Sequence, residues 1–158
     1  TYPVIGDGVG VSGEIEAVVD LTGQSIQPSG YVVAAESTFT LGTADLTTDL
    51  GFENGDNVTH LLVSDFSGAL YDDLDTDDDG TLDATPWSEL VDCVALVQDL
   101  GSGDQVYCSD TVGPDGEYVP GHVYLCPEGW QIGAFGTSGG DDTPGADKNR
   151  ATAAGEDV

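Results

Sequence analysis

An all-β fold follows from three features of this chain of 158 residues. Glycine is abundant, at 23 residues. Short runs rich in Val, Thr and Tyr recur along the sequence, and Gly, Asp, Asn or Pro interrupts them every few residues, as strands joined by tight turns require. Strong helix formers are sparse between these runs. The length suits one domain with a hydrophobic core of its own.

The elements read as follows. Residues 1–13, TYPVIGDGVGVSG, are expected to form an N-terminal arm, because glycine and the chain end favour fraying. The β-rich body is expected over 14–140, followed by an acidic, Gly/Ala-containing tail at 141–158. Within the body, EIEAVVDL (14–21) predicts a strand with Ile15, Ala17 and Val19 on one face. YVVAAE (31–36) predicts a second strand after QPSG, where Pro28 and Gly30 mark a turn. In LGFENGDNVTHLLVSDF (50–66), a strand, a hairpin turn at Asn54-Gly55 and a strand from Val58 to Ser64 are expected. Further strands are read at LVDCVALVQ (90–98), DQVYCSD (104–110), YVPGHVYLC (118–126) and WQIGAF (130–135), with a PDG turn before the third of these. Their short, regular spacing fits a sandwich or barrel.

Charge narrows the function. With 30 acidic residues against 2 basic ones, the formal net charge is −28. That field repels phosphate backbones and anionic bilayers, which disfavours nucleic-acid binding and membrane-surface association. It also opposes compaction unless salt screens it or bound cations neutralise it, so calcium or a saline environment is implied. No run reaches the length of a transmembrane helix, and the opening TYPVIGDG lacks a charged segment followed by an apolar one, as in a secreted protein whose signal peptide has been removed. Cys93, Cys108 and Cys126 show no CxxC spacing, which argues against zinc. A Cys93–Cys108 disulfide across a hairpin through LGSG, a Cys108–Cys126 disulfide across the PDG turn, and three unpaired thiols all fit the spacing.

The order of pieces also resembles a known family. VDLTGQSIQPSGYVVAAE (19–36), FENGDNVTHLLVSDFSG (52–68), ELVDCVAL (89–96) and DDTPGAD (141–147) follow one another as the conserved blocks of lamin-tail domains do, including the closing T-P-G of secreted bacterial members. The resemblance covers roughly residues 19–147 and implies an immunoglobulin-like β-sandwich with structural, adhesive or accessory roles and no shared catalytic residues. Two departures stand out. The family's opening block is reduced to GEIEAVVDL, and Gln24 occupies a position where an aromatic is usual.

DLDTDDDGTLD (73–83) is the segment that carries chemistry. Asp75, Asp77 and Asp79 alternate around a loop that Gly80 allows to bend sharply, Thr81 offers a backbone carbonyl, and Asp83 falls at the ninth position. Hard, flexible oxygen ligands at this spacing suit Ca2+ better than Mg2+. Leu82 is placed to anchor the loop to the core. The twelfth position is Pro86, not Glu, which excludes a complete EF-hand and leaves Asp72, Asp73, Glu89 or water to complete the shell. No G-x-S-x-G elbow or paired-histidine motif is present, His60 and His122 being far apart, and Trp87 and Trp130 read as packing residues.

These features predict a non-enzymatic, secreted or cell-surface protein: a calcium-stabilised sandwich with a structural, adhesive or self-assembling role. Its expected partners are other copies, through the terminal arms, or other surface proteins. An accessory domain of a larger secreted hydrolase and a calcium-dependent carbohydrate binder, with Tyr71 or Trp87 beside the loop, are the alternatives.

Overall fold

The computed structural model describes residues 1–6, 11–51, 56–101, 105–114 and 119–132. Among these the fold is all-β and contains no helix, so none is long and apolar enough to cross a membrane. The described residues form nine strands in chain order: β1 (Tyr2–Gly6), β2 (Glu14–Val19), β3 (Ala34–Ala35), β4 (Leu46–Thr47), β5 (Val58–Ser64), β6 (Glu89–Leu96), β7 (Thr111–Val112), β8 (Val123–Cys126) and β9 (Gly129–Ile132). Five of them form one sheet in the order β2-β1-β5-β6-β7, and β3-β4 and β8-β9 form two small pairs.

The first strand corrects the expected N-terminal arm. Tyr2–Gly6 lies inside the sheet, antiparallel to β2 on one side and to β5 on the other. Pro3, Val4, Ile5 and Gly6 are buried, Val4 and Ile5 completely. The short apolar run YPVI, flanked by glycine, is what a strand covered on both faces looks like. Because β1 and β6 occupy both edges of β5, no edge remains there for a hairpin partner from residues 50–51, and the expected pairing across Asn54-Gly55 is replaced by pairings distant in sequence. Asn54-Gly55 itself lies outside the described residues, as do Asp115-Gly116 and the tail at 141–158.

β2 carries a bulge that splits the face expected for it. Ala17 lies opposite Val4 and Ile15 opposite Ile5, so Glu16 is the extra residue. Ile15 therefore joins one core cluster and Ala17 the other. Gly6 makes room for the bulge, since a Cβ there would sit 2.4 Å from the Glu16 carboxyl carbon.

The sheet separates two cores. On one face Val4, Ala17, Val58, Val94 and Leu96 pack with Val112 and Val119, and with Tyr2, Val123 and Trp130 at the margin. On the other, Ile5, Ile15, Leu61 and Val63 pack with Leu74, and with Phe66, Leu82, Trp87, Cys93 and Tyr107 around them. Trp87 and Trp130 thus pack as expected, one on each face. The expected strand at 31–36 shortens to Ala34–Ala35, which pairs in parallel with Leu46–Thr47.

The strand expected at 104–110 is absent from the described residues 105–110. The chain instead forms β7 at Thr111–Val112, parallel to β6, with Ala95 opposite Thr111. Cys93 and Cys108 are nevertheless joined by a disulfide, with Cα atoms 5.9 Å apart, while Cys126 is not disulfide-bonded. Such a bond belongs to an oxidising compartment and hints at an extracellular location.

Candidate metal centre

The aspartate loop leaves β5 and crosses the second face to the outer edge of β2. There the chain adds a short, irregular ladder: Tyr71 N donates to Ile15 O (2.8 Å), Ile15 N to Asp72 O (3.0 Å) and Leu74 N to Gly13 O (3.0 Å). These bonds cover part of an otherwise open edge. Leu74 is buried and Leu82 half-buried, both in the second core, so two leucines hold the ends of the loop against the sheet. Leu82 performs the anchoring its position predicts. Leu74 does the same from the other side.

Between these anchors the chain wraps around Asp75. Its side chain is fully buried. Asp79 N donates to its Oδ1 (3.2 Å), Gly80 N to its Oδ2 (2.9 Å), and the Tyr107 hydroxyl to the same Oδ2 (2.8 Å). The wrap requires left-handed backbone at Asp78 (φ 53°) and Gly80 (φ 84°), which aspartate tolerates and glycine adopts freely. A side chain at Gly80 would also collide with Gln105, whose Oε1 lies 2.8 Å from the Cβ position. Gly13 backs the site in the same way. It has φ 94°, and a Cβ there would be 2.7 Å from the Cβ of Asp75.

Asp75, Asp77 and Asp83 converge, each offering a carboxylate oxygen, with the three atoms within 4.8 Å of one another. Asp77 and Asp83 are exposed, so the group opens to solvent on one side. Asp83 is oriented by Thr76, whose N–H (2.9 Å) and hydroxyl both donate to Asp83 Oδ2. Asp79 stands outside this triad. Its Oδ1 accepts the Thr81 N–H (2.8 Å), which shapes the turn. Asp72 and Asp73, considered as further ligands, are turn acceptors for Ala69 N (2.7 Å) and Asp75 N (3.0 Å).

The carboxylates of the cluster repel one another. The Asp79 charge, followed by desolvation and the charges of Asp83 and Asp75, pushes the Asp77 carboxyl above its usual range. Like charges held this close favour protonation unless a cation neutralises them. All the side-chain donors are hard carboxylate oxygens, so the triad fits a divalent cation, and soft-metal ligands take no part in it.

Tyr107 and Thr76 are the contributors that spacing alone does not reveal. Tyr107 sits beside Cys108, and its partner Asp75 is 32 residues away in sequence. Burial, with the Asp75 hydrogen bond and charge, pushes its phenol well above the ordinary range. A shallow cavity of about 370 Å³ separates the Gly80–Leu82 side of the loop from residues 106–109.

The remaining candidates resolve differently. His60 is buried on the first face, where its Nδ1 and the Tyr2 hydroxyl share a hydrogen bond of 2.8 Å. His122 is also buried. Asn57, the acceptor position of the Asn57-Val58-Thr59 sequon, is 1% exposed and caps the end of β6, accepting from Gln98 N (2.8 Å). No family model, curated protein or solved structure matches the chain.

Proposed function

We propose that this chain is a secreted, non-enzymatic β-protein with a structural or adhesive role, and that one Ca2+ held by the aspartate loop stabilises it. The observation that carries the reading is the convergence of the Asp75, Asp77 and Asp83 carboxylates on a loop pinned at both ends by Leu74 and Leu82. Asp79 and the Thr81 carbonyl complete the proposed ligand set, with water. A cation there would offset the repulsion on Asp77 and fasten the loop to the β2 edge, which is a structural rather than a catalytic task. The Cys93–Cys108 disulfide supports secretion.

The relation to lamin-tail domains, and with it an immunoglobulin-like sandwich, belongs to this proposal. Its support is that two of the motif blocks fall on neighbouring strands, NVTHLLVS on β5 and ELVDCVAL on β6, and that the end of VDLTGQSIQPSGYVVAAE reaches β3. Self-association remains part of the reading, though not through the first residues, which are built into the chain's own sheet. The better surface for it is the first half of β6. There β7 pairs only with Ala95 and Leu96, and Leu90 and Val91 are 43% and 58% exposed. A second reading, calcium-dependent glycan binding, is favoured by Tyr71, which is 68% exposed at the start of the same loop.

Titration calorimetry and thermal melts in Ca2+, Mg2+ and chelator test the proposal. Calcium is expected to bind at one site and raise the melting temperature, by the equivalent of about 2.7 kcal/mol at a hundredfold excess over Kd. Magnesium should have a smaller effect. Absence of calcium binding by the folded protein overturns the metal reading. Light scattering in calcium at high protein concentration tests assembly, and a monomer under those conditions overturns it.

A further inference from the structure

We infer that residues 105–109 form a brace for the aspartate loop, held covalently by the Cys93–Cys108 disulfide, and that Tyr107 is the positioning residue that sets Asp75 for the cation. The inference rests on the calcium reading above and concerns how that site is held.

The donors to Asp75 differ in what they are tied to. Asp79 N and Gly80 N belong to the loop and move with it. The Tyr107 hydroxyl comes from a separate segment, and it links the buried carboxylate to the sheet. Tyr107 is itself fixed from two adjacent strands. Its N–H donates to Thr59 Oγ1 in β5 (3.1 Å), and the next residue, Cys108, is bonded to Cys93 in β6. The tyrosine ring and Cys93 both pack against the second core. Residues 105–109 belong to no strand, so the disulfide and the Thr59 bond take the place of a ladder in holding the phenol.

This arrangement also limits how Asp75 can bind. An ionised carboxylate has about four lone-pair sites. Three are taken by Asp79 N, Gly80 N and Tyr107, which leaves one for a cation. Asp75 is therefore a monodentate ligand whose direction is fixed before the ion arrives, while exposed Asp77 and Asp83 close on it from the solvent side. Fixing a ligand through the group behind it raises affinity because less order is lost on binding.

Tyr107→Phe keeps the ring and removes only the hydroxyl. Calcium affinity of the full chain, measured by calorimetry, is expected to fall about tenfold. The carboxyl 13C shift of Asp75 should change in chelator, reporting the lost hydrogen bond directly. Tyr2→Phe removes a buried hydroxyl from the opposite face and should leave calcium affinity unchanged. The C93A/C108A double variant should speed hydrogen exchange at residues 75–83 while β5 keeps its protection. Equal calcium affinity in Tyr107→Phe and wild type overturns the inference and leaves the calcium reading standing. If the wild type binds no calcium, the calcium reading fails by itself. The brace is then decided by exchange in chelator: faster exchange at 75–83 in Tyr107→Phe supports it, and unchanged exchange overturns it.

Discussion

The two faces of the central sheet are built from nearly the same residues and covered in opposite ways. Toward the first face point Val4, Ala17, Val58 and Val94; toward the second, Ile5, Ile15, Leu61 and Val63. The first is covered largely by apolar residues, Val112, Val119, Val123 and Trp130, and its polar element is the Tyr2–His60 pair. The second is covered by a highly acidic segment that contributes only a few apolar side chains. Those side chains bring carboxylates with them, and Asp75 ends fully buried beside Leu74. An apolar lid stabilises by area alone, whereas an acidic lid needs specific donors, a covalent clip and, on the reading above, a cation. Stability of the first face should thus respond to packing and acid, and that of the second to packing and ions.

The same deletion made on each face is the strongest test of this contrast. Leu74→Ala and Leu96→Ala both remove a buried leucine, each at a cost of about 2–5 kcal/mol. Denaturant melts with and without calcium should separate them. Leu74→Ala is expected to lose most of the calcium-dependent gain, because an anchor of the loop is gone, and Leu96→Ala to keep it. Equal calcium responses would mean that the loop holds its shape without the core beneath it.

Acid should act on the first face. Burial pulls the His60 imidazole down from 6.5 to about 4. Between those values the unfolded chain takes up a proton that the folded chain refuses, so stability falls as pH drops from 6.5 toward 4, by on the order of 3 kcal/mol. Stability measured across that range should fall less steeply in His60→Gln than in wild type. Parallel slopes would assign the acid sensitivity to other groups. Tyr2, pushed up to about 12 by burial, stays protonated throughout and remains a partner for the neutral ring.

The smallest expected effect sharpens the contrast by changing sign. The Asp77 carboxyl is pushed upward chiefly by the Asp79 charge, with slight desolvation and the charges of Asp83 and Asp75 adding to it. Without a cation, its contribution to stability is present below the ordinary carboxylate range and is lost as pH rises through the raised value. Asp77→Asn is therefore expected to melt slightly higher than wild type in chelator at neutral pH, and lower than wild type in saturating calcium. Paired thermal scans read the crossing directly, and a variant that melts lower in both buffers would remove repulsion as the property of this site.

Local chemistry alone determined much of this protein. Turn residues and short β-branched runs specified an all-β chain and placed β5 and β6 to within two residues, because turn preference and strand periodicity are properties of neighbours in sequence. The D-x-D-x-D-G-x-x-D spacing specified the bend at Gly80 and the three aspartates that meet, Asp75, Asp77 and Asp83, for the same reason, although Asp79 stands outside them. Tertiary structure decided what depends on competition for sheet edges. It placed Tyr2–Gly6 between β2 and β5 instead of leaving an arm, and it paired β5 with β1 and β6 instead of a hairpin neighbour. A bulge at Glu16 sent Ile15 and Ala17 to opposite cores, which a period of two cannot anticipate. The same long-range assembly selected Cys108 as the partner of Cys93 by carrying residues 105–109 beneath the sheet without a hairpin, and it set Tyr107 against Asp75. Contacts across such separations are fixed by which edges and faces remain uncovered once the rest of the chain has folded, and no local pattern encodes that.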